Sequence, residues 1–275
     1  MNSTMKSDVG GLATAIDGLI PSAGRKPTLV YFNVIGIGWP IRCLLHINDV
    51  DYDYIPVTFK QWMCRTSDGH QLLKSTTTNG HLPLYVDSEV RIGENSLILS
   101  RLGQQTGAMG GNAADALAIE QVLAQCNDAL FHWSGLFSVN IHYNLPPEVS
   151  QARLDAFMGR GAWGVVADGF RNNLRAFRRF LEANVSRSGF IVGSQLSVAD
   201  LAAFNVLCNW YKAFDREVFS TEFPDLDAYI HRVAMFPGVA DYIRNVQEPT
   251  VWFDMPDVAL RLTSKSELMG LVQLP

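Results

Sequence analysis

The chain has 275 residues, 48% of them apolar and only 18% charged, and its 22 basic and 27 acidic groups leave a formal charge of −5. That length suits one large domain or two of ordinary size, with a core that needs no disulfide or metal staple. The acidic balance argues against a general nucleic-acid binder, and no run of about 18 apolar residues offers a membrane span.

Residues 1–26 mix Ser, Gly, Thr and Asp around a short apolar stretch, Leu12–Ile20, which Asp17 interrupts. Asp8 and Asp17 precede the first arginine, Arg25, so the segment has neither the continuous apolar run of a secretory signal nor the acid-poor, Arg-rich make-up of a transit peptide. It reads as a loose arm with at most one weak helix. Thr28–Phe32 is β-branched and aromatic, a strand. Asn33–Gly38 breaks it, and Pro40 then opens a helix, where its missing N–H costs nothing, with Ile41, Leu44, Leu45 and Ile47 turned inward. Tyr52–Val57 is a second strand. Residues 63–80 are polar, a long loop. Pro83–Val86 and Val90–Ile92 flank Asp87-Ser88 as a hairpin. Asn95–Leu102 returns to helical period, and Gly103 is expected to end it.

Beyond Gly110-Gly111-Asn112 every periodic segment reads as helix: Ala113–Tyr143, Glu148–Asn184, Ser197–Phe214, Asp225–Val233 and Pro237–Asn245. A small α/β unit at 27–105 followed by an all-helical unit at 112–246 is a two-domain layout. The tail, 247–275, carries Val251, Trp252, Phe253, Leu260, Leu262, Leu268 and Leu271, too apolar for a free end, and is expected to lie on the helical domain.

Cys43, Cys64, Cys126 and Cys208 are far apart, with no CxxC and no zinc spacing, and read as reduced, buried thiols of a cytoplasmic protein. The six histidines form no metal-ligand pair on one helix face. Arg171, Arg175, Arg178 and Arg179, near Asp168 and Glu182, read as a solvated basic face. The loop after the first strand contains no cysteine, which excludes dithiol redox chemistry at the place where a thioredoxin or glutaredoxin carries it. The hydroxyl near that strand's end is Tyr31.

Tyr31-Phe32-Asn33 with Gly36 and Pro40-Ile41-Arg42 resembles the first strand and helix of the cytosolic glutathione S-transferases, the sigma-like, tyrosine-type classes in particular. Lys74-Ser75-Thr76, Gly80 and Leu82-Pro83 resemble that family's loop to a cis-proline. Glu94-Asn95-Ser96-Leu97 resembles its Gln/Glu-Ser motif, and Gly193 with Leu196–Asp200 its N-capping box. The likeness covers about residues 27–246.

The resemblance implies an N-terminal thioredoxin-like domain, a C-terminal helical domain, and glutathione as co-substrate. Tyr31 would donate a hydrogen bond that favours the glutathione thiolate, although a strand tyrosine can equally be core. Leu82, ahead of a cis Pro83, would pair by its backbone with the cysteinyl part of glutathione. Glu94 and Asn95 would hold the γ-glutamyl end at a helix start, where Asn also serves as a plain N-cap. Trp62 and Lys74 would meet the glycyl end, with an insertion, Met63–Leu73, between them; Lys74 as a solvated loop lysine is the alternative. Glu120, or Gln121 in a neighbouring register, would reach the glutathione amino group of a partner subunit in a homodimer, or simply lie on a helix surface. Val34, Ile37, Trp39, Phe131, Trp133 and Phe137 would line the pocket of a small apolar electrophile. Two departures stand out: Ile37 replaces an arginine that supports the tyrosine, and Asn95 replaces serine. They, with the insertion and the terminal segments, motivate the alternative of a non-catalytic protein on the same fold, a structural or assembly subunit. Ser197 and Asp200 are assigned to structure, as a capping box.

Overall fold

The computed structural model describes residues 3–143, 169–213, 216–246 and 265–272, with three isolated positions, Glu148, Ala152 and Asp155. A four-stranded sheet is followed by helices only, so the expected thioredoxin-like unit and helical unit are the architecture found.

Strand β1 (Thr28–Phe32) is central, between β2 (Asp53–Val57), parallel to it, and β3 (Leu84–Val86), antiparallel to it; β4 (Arg91–Gly93) closes the edge. A strand covered on both sides reads as a continuous apolar run, which is why Leu29, Val30 and Tyr31 are all buried. Helix α2 (Trp39–Ile47), with Pro40 in its first turn, buries Ile41, Leu44 and Leu45 against the sheet and the helical unit, while Ile47 is half-buried. Helix α3 (Phe59–Trp62) follows β2, and helix α4 (Asn95–Thr106) follows β4.

Two local readings are corrected. Helix α4 runs through Gly103 and ends at Gly107, which is left-handed at φ 78°. Gly103 is there for packing: a Cβ on it would come within 2.9 Å of Met109 Sδ and of Val198 Cγ1. The arm does hold one helix, α1 (Ser3–Asp17), but it is packed and not loose, with Val9, Ala13 and Ile16 buried along one stripe and Leu19 beneath its end. That stripe has helical spacing, i, i+4, i+7, but its small and polar neighbours conceal it in the sequence.

The helical unit comprises α5 (Ala113–Tyr143), α6 (Gly169–Ala183), α7 (Val198–Ala213), α8 (Arg216–Thr221), α9 (Pro224–Ala234), α10 (Pro237–Asn245) and α11 (Lys265–Val272). Every residue from Val198 to Trp210 is buried, which makes α7 the central helix around which the others pack. Helix α11 lies on α9 and α10, with Leu268 and Val272 buried and Arg244 donating to the Val272 carbonyl at 3.0 Å. The arginine face of α6 is less solvated than expected. Arg171 forks onto Glu222 at 2.8 Å, and Arg178 grips Asp225 at 2.6 Å with its guanidinium 4.4 Å above the Phe223 ring. Among the described residues no helix is long and apolar enough to cross a membrane.

Asp200, at the start of α7, is fully buried. Its carboxylate accepts from the N–H groups of Ile191 (2.8 Å) and Ser197 (2.9 Å) and from the hydroxyls of Ser197 (2.8 Å) and Tyr229 (3.0 Å). Burial nevertheless outweighs these donors and pushes its pKa up to about 6.

Asp200→Ala strands four buried donors and is expected to cost roughly 3–5 kcal/mol in urea unfolding at pH 7. Because the folded-state pKa is raised, the folded chain binds this proton more tightly, and stability from Asp200 is present at low pH and lost as pH rises through about 6. Wild type should therefore lose stability relative to Asp200→Asn between pH 4 and 7, by about 3 kcal/mol at most. A flat difference across that range contradicts it.

Candidate functional site

Strand register gathers the site. Phe32 pairs with Val57, so the C-terminal ends of β1 and β2 lie side by side; Val30 pairs with Leu84 and Leu84 with Gly93, so the start of β3 and the end of β4 lie at the same edge. The segments leaving that edge carry Tyr31, Trp62, Leu82-Pro83 and Glu94-Asn95. Four separate stretches of sequence meet there because the sheet requires it.

The Tyr31 ring is buried under the turn Gly36-Ile37-Gly38. Its hydroxyl oxygen accepts from the Ile37 N–H at 3.1 Å, and its own proton has no acceptor among the described residues. The turn can come this close only as glycine: a Cβ on Gly36 would lie 2.6 Å from the Tyr31 hydroxyl, and one on Gly38 only 2.3 Å from Tyr31 Cδ1. Gly36 also has φ 37°, a conformation that side chains resist. Burial pushes the Tyr31 pKa up to about 12, opposed by the nearby Arg42 charge and by the Ile37 and Gly38 N–H groups. At neutral pH the group is therefore a phenol with a proton to donate. Buried Arg42 donates to the carbonyls of Val34 (2.7 Å) and Ile35 (3.2 Å), and its guanidinium lies 5.4 Å from the Tyr54 ring. A positive charge thus sits beneath the turn although position 37 is apolar.

Trp62 ends α3, whose N-terminus is fixed by a reciprocal box: Thr58 Oγ1 accepts from the Gln61 N–H (3.2 Å), and Gln61 Oε1 from the Thr58 N–H (2.8 Å). The indole meets Phe32 edge-on at 5.7 Å, and Lys74 Nζ lies 6.0 Å from its ring centroid. Lys74 is half-exposed and is paired with no carboxylate among the described residues. The insertion between them folds back on itself, with Arg65 bridging Gln71 and the Thr66 N–H donating to the His70 carbonyl at 2.8 Å.

The Leu82–Pro83 bond is cis, as the resemblance implies. Leu82 N–H and C=O take no backbone partner among the described residues. Glu94 stands at φ 69°, ψ 121°, rare for a residue with a side chain, and its carboxylate accepts from Asn79 Nδ2. Asn95 is not the N-cap: that place belongs to Glu94, whose side chain caps nothing. Asn95 is instead buried in the first turn of α4, with Oδ1 lacking any hydrogen-bond partner.

The expected apolar pocket is revised. Trp39 does not line it: it is buried between the Phe204 ring (5.2 Å) and the Tyr242 ring (5.8 Å), because the first turn of α2 packs into the helical unit. Val34 is also buried, and only Ile37 of this trio keeps partial exposure. Phe131, Trp133 and Phe137 belong to α5, but their side chains lie outside the described residues. Glu120 is exposed on α5 and lines a hollow with Ser96, Leu97, Ser100, Arg101 and Gln104, away from the sheet edge that carries Tyr31.

Five residues that support the site have no role in the sequence reading. Thr58-x-x-Gln61 is a legible capping-box signal. Arg42, Asn79 and Arg91 carry none, since their partners are backbone carbonyls or side chains brought near only by the fold.

Residues 166–245 match the family model described as the glutathione S-transferase C-terminal domain. The chain is 25% identical over 232 residues to a glutathione S-transferase of Dermatophagoides pteronyssinus, covering 82% of this chain and 93% of the relative. It is 24% identical over 228 residues to glutathione S-transferase 4 of Caenorhabditis elegans, covering 81% and 98%. Among solved structures, the Ascaris lumbricoides glutathione S-transferase superposes with a TM-score of 0.65 at 21% identity, over 82% of this chain and all of that one.

The state of Tyr31 is measurable. With its pKa near 12, tyrosinate absorbance that is lost in Tyr31→Phe should be absent below about pH 11. A wild-type-minus-variant signal that titrates between pH 8 and 10 contradicts the buried phenol.

Proposed function

We propose that this chain, whose fold and relatives are those of the glutathione S-transferase family, is a sigma-like, tyrosine-type glutathione transferase that activates the glutathione thiol for attack on an apolar electrophile or for isomerisation of one. The observation that carries the reading is the Tyr31 phenol: protonated, positioned by the Ile37 N–H, and with its own proton unspent.

A thiol attacks only as thiolate. A phenol O–H donated to sulfur favours the charged form, and the glutathione proton leaves to solvent. The thiolate lone pair then forms a C–S bond while the electrophile's leaving group or polarised π bond takes the displaced pair. Tyr31 keeps its proton throughout. Arg42 adds a positive field from below the turn, part of what an arginine at position 37 would supply.

The other roles follow the same geometry. Lys74 would bind the glycyl carboxylate beside the Trp62 indole. The free N–H and C=O of Leu82 would bridge the cysteinyl backbone. Asn95 and the α4 N-terminus would take the γ-glutamyl end, where the unpartnered Asn95 Oδ1 has acceptor capacity for an ammonium donor. Residues 27–105 would thus bind glutathione, and 112–246 would face the electrophile, with Ile37 and the α5 aromatics Phe131, Trp133 and Phe137 on its apolar side.

We also propose a homodimer. Leu97 is 52% exposed and Leu117 73% exposed on α4 and α5, flanking the hollow that holds Glu120, and a second copy covering that face would bring Glu120 toward the partner's glutathione. Four buried free cysteines suit a reducing compartment, which supports a cytoplasmic location.

Tyr31→Phe keeps the ring and deletes one hydrogen bond to a charged acceptor, a loss of about 1.5–3 kcal/mol. Turnover at pH 7 should fall roughly 10- to 150-fold with glutathione affinity nearly unchanged, since the contacts to its ends remain. Unchanged turnover means another group activates the thiol. Wild type that binds glutathione without turnover favours the non-catalytic subunit.

Sedimentation at micromolar concentration should give twice the chain mass, and Leu97→Arg should shift it toward monomer. A wild-type monomer contradicts the dimer.

A further inference from the structure

Helix α1 precedes the sheet and packs on the turn Leu72–Thr76, the segment that carries Lys74. Its buried stripe, Val9, Ala13 and Ile16, meets that turn where Leu73 and Thr76 are themselves buried. The two are joined by one guanidinium. Arg91, on edge strand β4, donates Nη1 to the carbonyls of Ile16 (3.0 Å) and Leu19 (2.5 Å), and Nη2 to the carbonyl of Thr76 (2.5 Å).

The chemistry explains why an arginine stands there. The C-terminus of a helix carries its negative dipole end, and there Arg91 adds a charged donor to Ile16, whose carbonyl also accepts from the Leu19 N–H at 3.1 Å, and to Leu19, just past the helix. The planar fork of a guanidinium donates to the end of α1 and to the Thr76 carbonyl together, which an ammonium does with poorer geometry. The turn it holds is a 3₁₀ segment, whose internal hydrogen bonds have poor geometry: Lys74 N–H reaches Gln71 O at 3.2 Å and Thr77 N–H reaches Lys74 O at 3.4 Å. The Ser75 and Thr76 hydroxyls brace the turn from within, donating to the Leu72 and Leu73 carbonyls at 2.7 and 2.8 Å, while α1 and Arg91 fix where the braced turn, and with it the Lys74 backbone, sits on the rest of the fold.

We propose that α1 and Arg91 form a positioning device for Lys74, which fixes its turn beside Trp62 and so sets the selectivity of the site for a ligand ending in a carboxylate. Arg91 touches no ligand and acts through Lys74. This rests on the glutathione reading above.

The test compares glutathione with its glycinamide, γ-Glu-Cys-Gly-NH2, which keeps the peptide and lacks only the terminal carboxylate, by calorimetry on the full chain. Wild type should favour glutathione roughly 10- to 150-fold, the worth of one charge-assisted hydrogen bond. Arg91→Ala should bring that ratio down toward that of Lys74→Ala while affinity for the glycinamide stays the same, and Arg91→Lys should recover part of it. Added to Lys74→Ala, Arg91→Ala should change the ratio no further. Ile16→Ala, which loosens the seat of α1 without altering β4, should lower the same ratio and serves if Arg91→Ala does not fold. A ratio unchanged in both variants, or an equal loss for both ligands, overturns the positioning role. Wild type that binds neither thiol overturns the transferase reading and this inference with it.

Discussion

The close approach of the Gly36–Gly38 backbone to the Tyr31 ring sets the rest of the site. A methyl group on either glycine would occupy space that the ring already fills, at 2.6 Å from its oxygen or 2.3 Å from its carbon. Because the turn can lie flat on the ring, an amide N–H reaches the phenol oxygen and orients it. The hydroxyl is a phenol at neutral pH, as tyrosine is in water, and burial moves its ionisation further away, up to about 12. Burial and backbone geometry together produce the chemical character of this one group.

The same turn delivers the chain into α2, and α2 joins the two halves of the molecule. Trp39 leaves the turn directly into the aromatic contact with Phe204 and Tyr242, so the position of the turn is fixed from the helical side as well as from the sheet. The central helix α7 provides that surface, and buried Asp200 holds its start by collecting donors from Ile191, Ser197 and Tyr229.

The two departures from the family pattern acquire physical content. At position 37, where the resemblance implies an arginine, the side chain is apolar, and the nearby positive charge is Arg42, anchored to the carbonyls of Val34 and Ile35. At position 95 a small hydroxyl is replaced by a longer amide that is buried without an acceptor-side partner. It follows Glu94 in a strained conformation held by Asn79, and strain of this kind is stored where surrounding structure over-determines it.

Local pattern alone determined much of this protein: β1 from its β-branched run, α2 from Pro40, the helices from their period, and the cis bond through the resemblance of short motifs. Those features are written within a few neighbouring residues, where propensity and spacing act. Tertiary structure decided what depends on distant partners. Gly103 lies inside a helix because Met109 and Val198 press on it; Trp39 turns to the core because Phe204 and Tyr242 come from the helical unit. Helix α1 is ordered because the 72–76 turn offers its thin apolar stripe a surface and Arg91 takes its last carbonyls. A stripe that weak has no stability of its own in water, so its structure belongs to the contact and not to the segment.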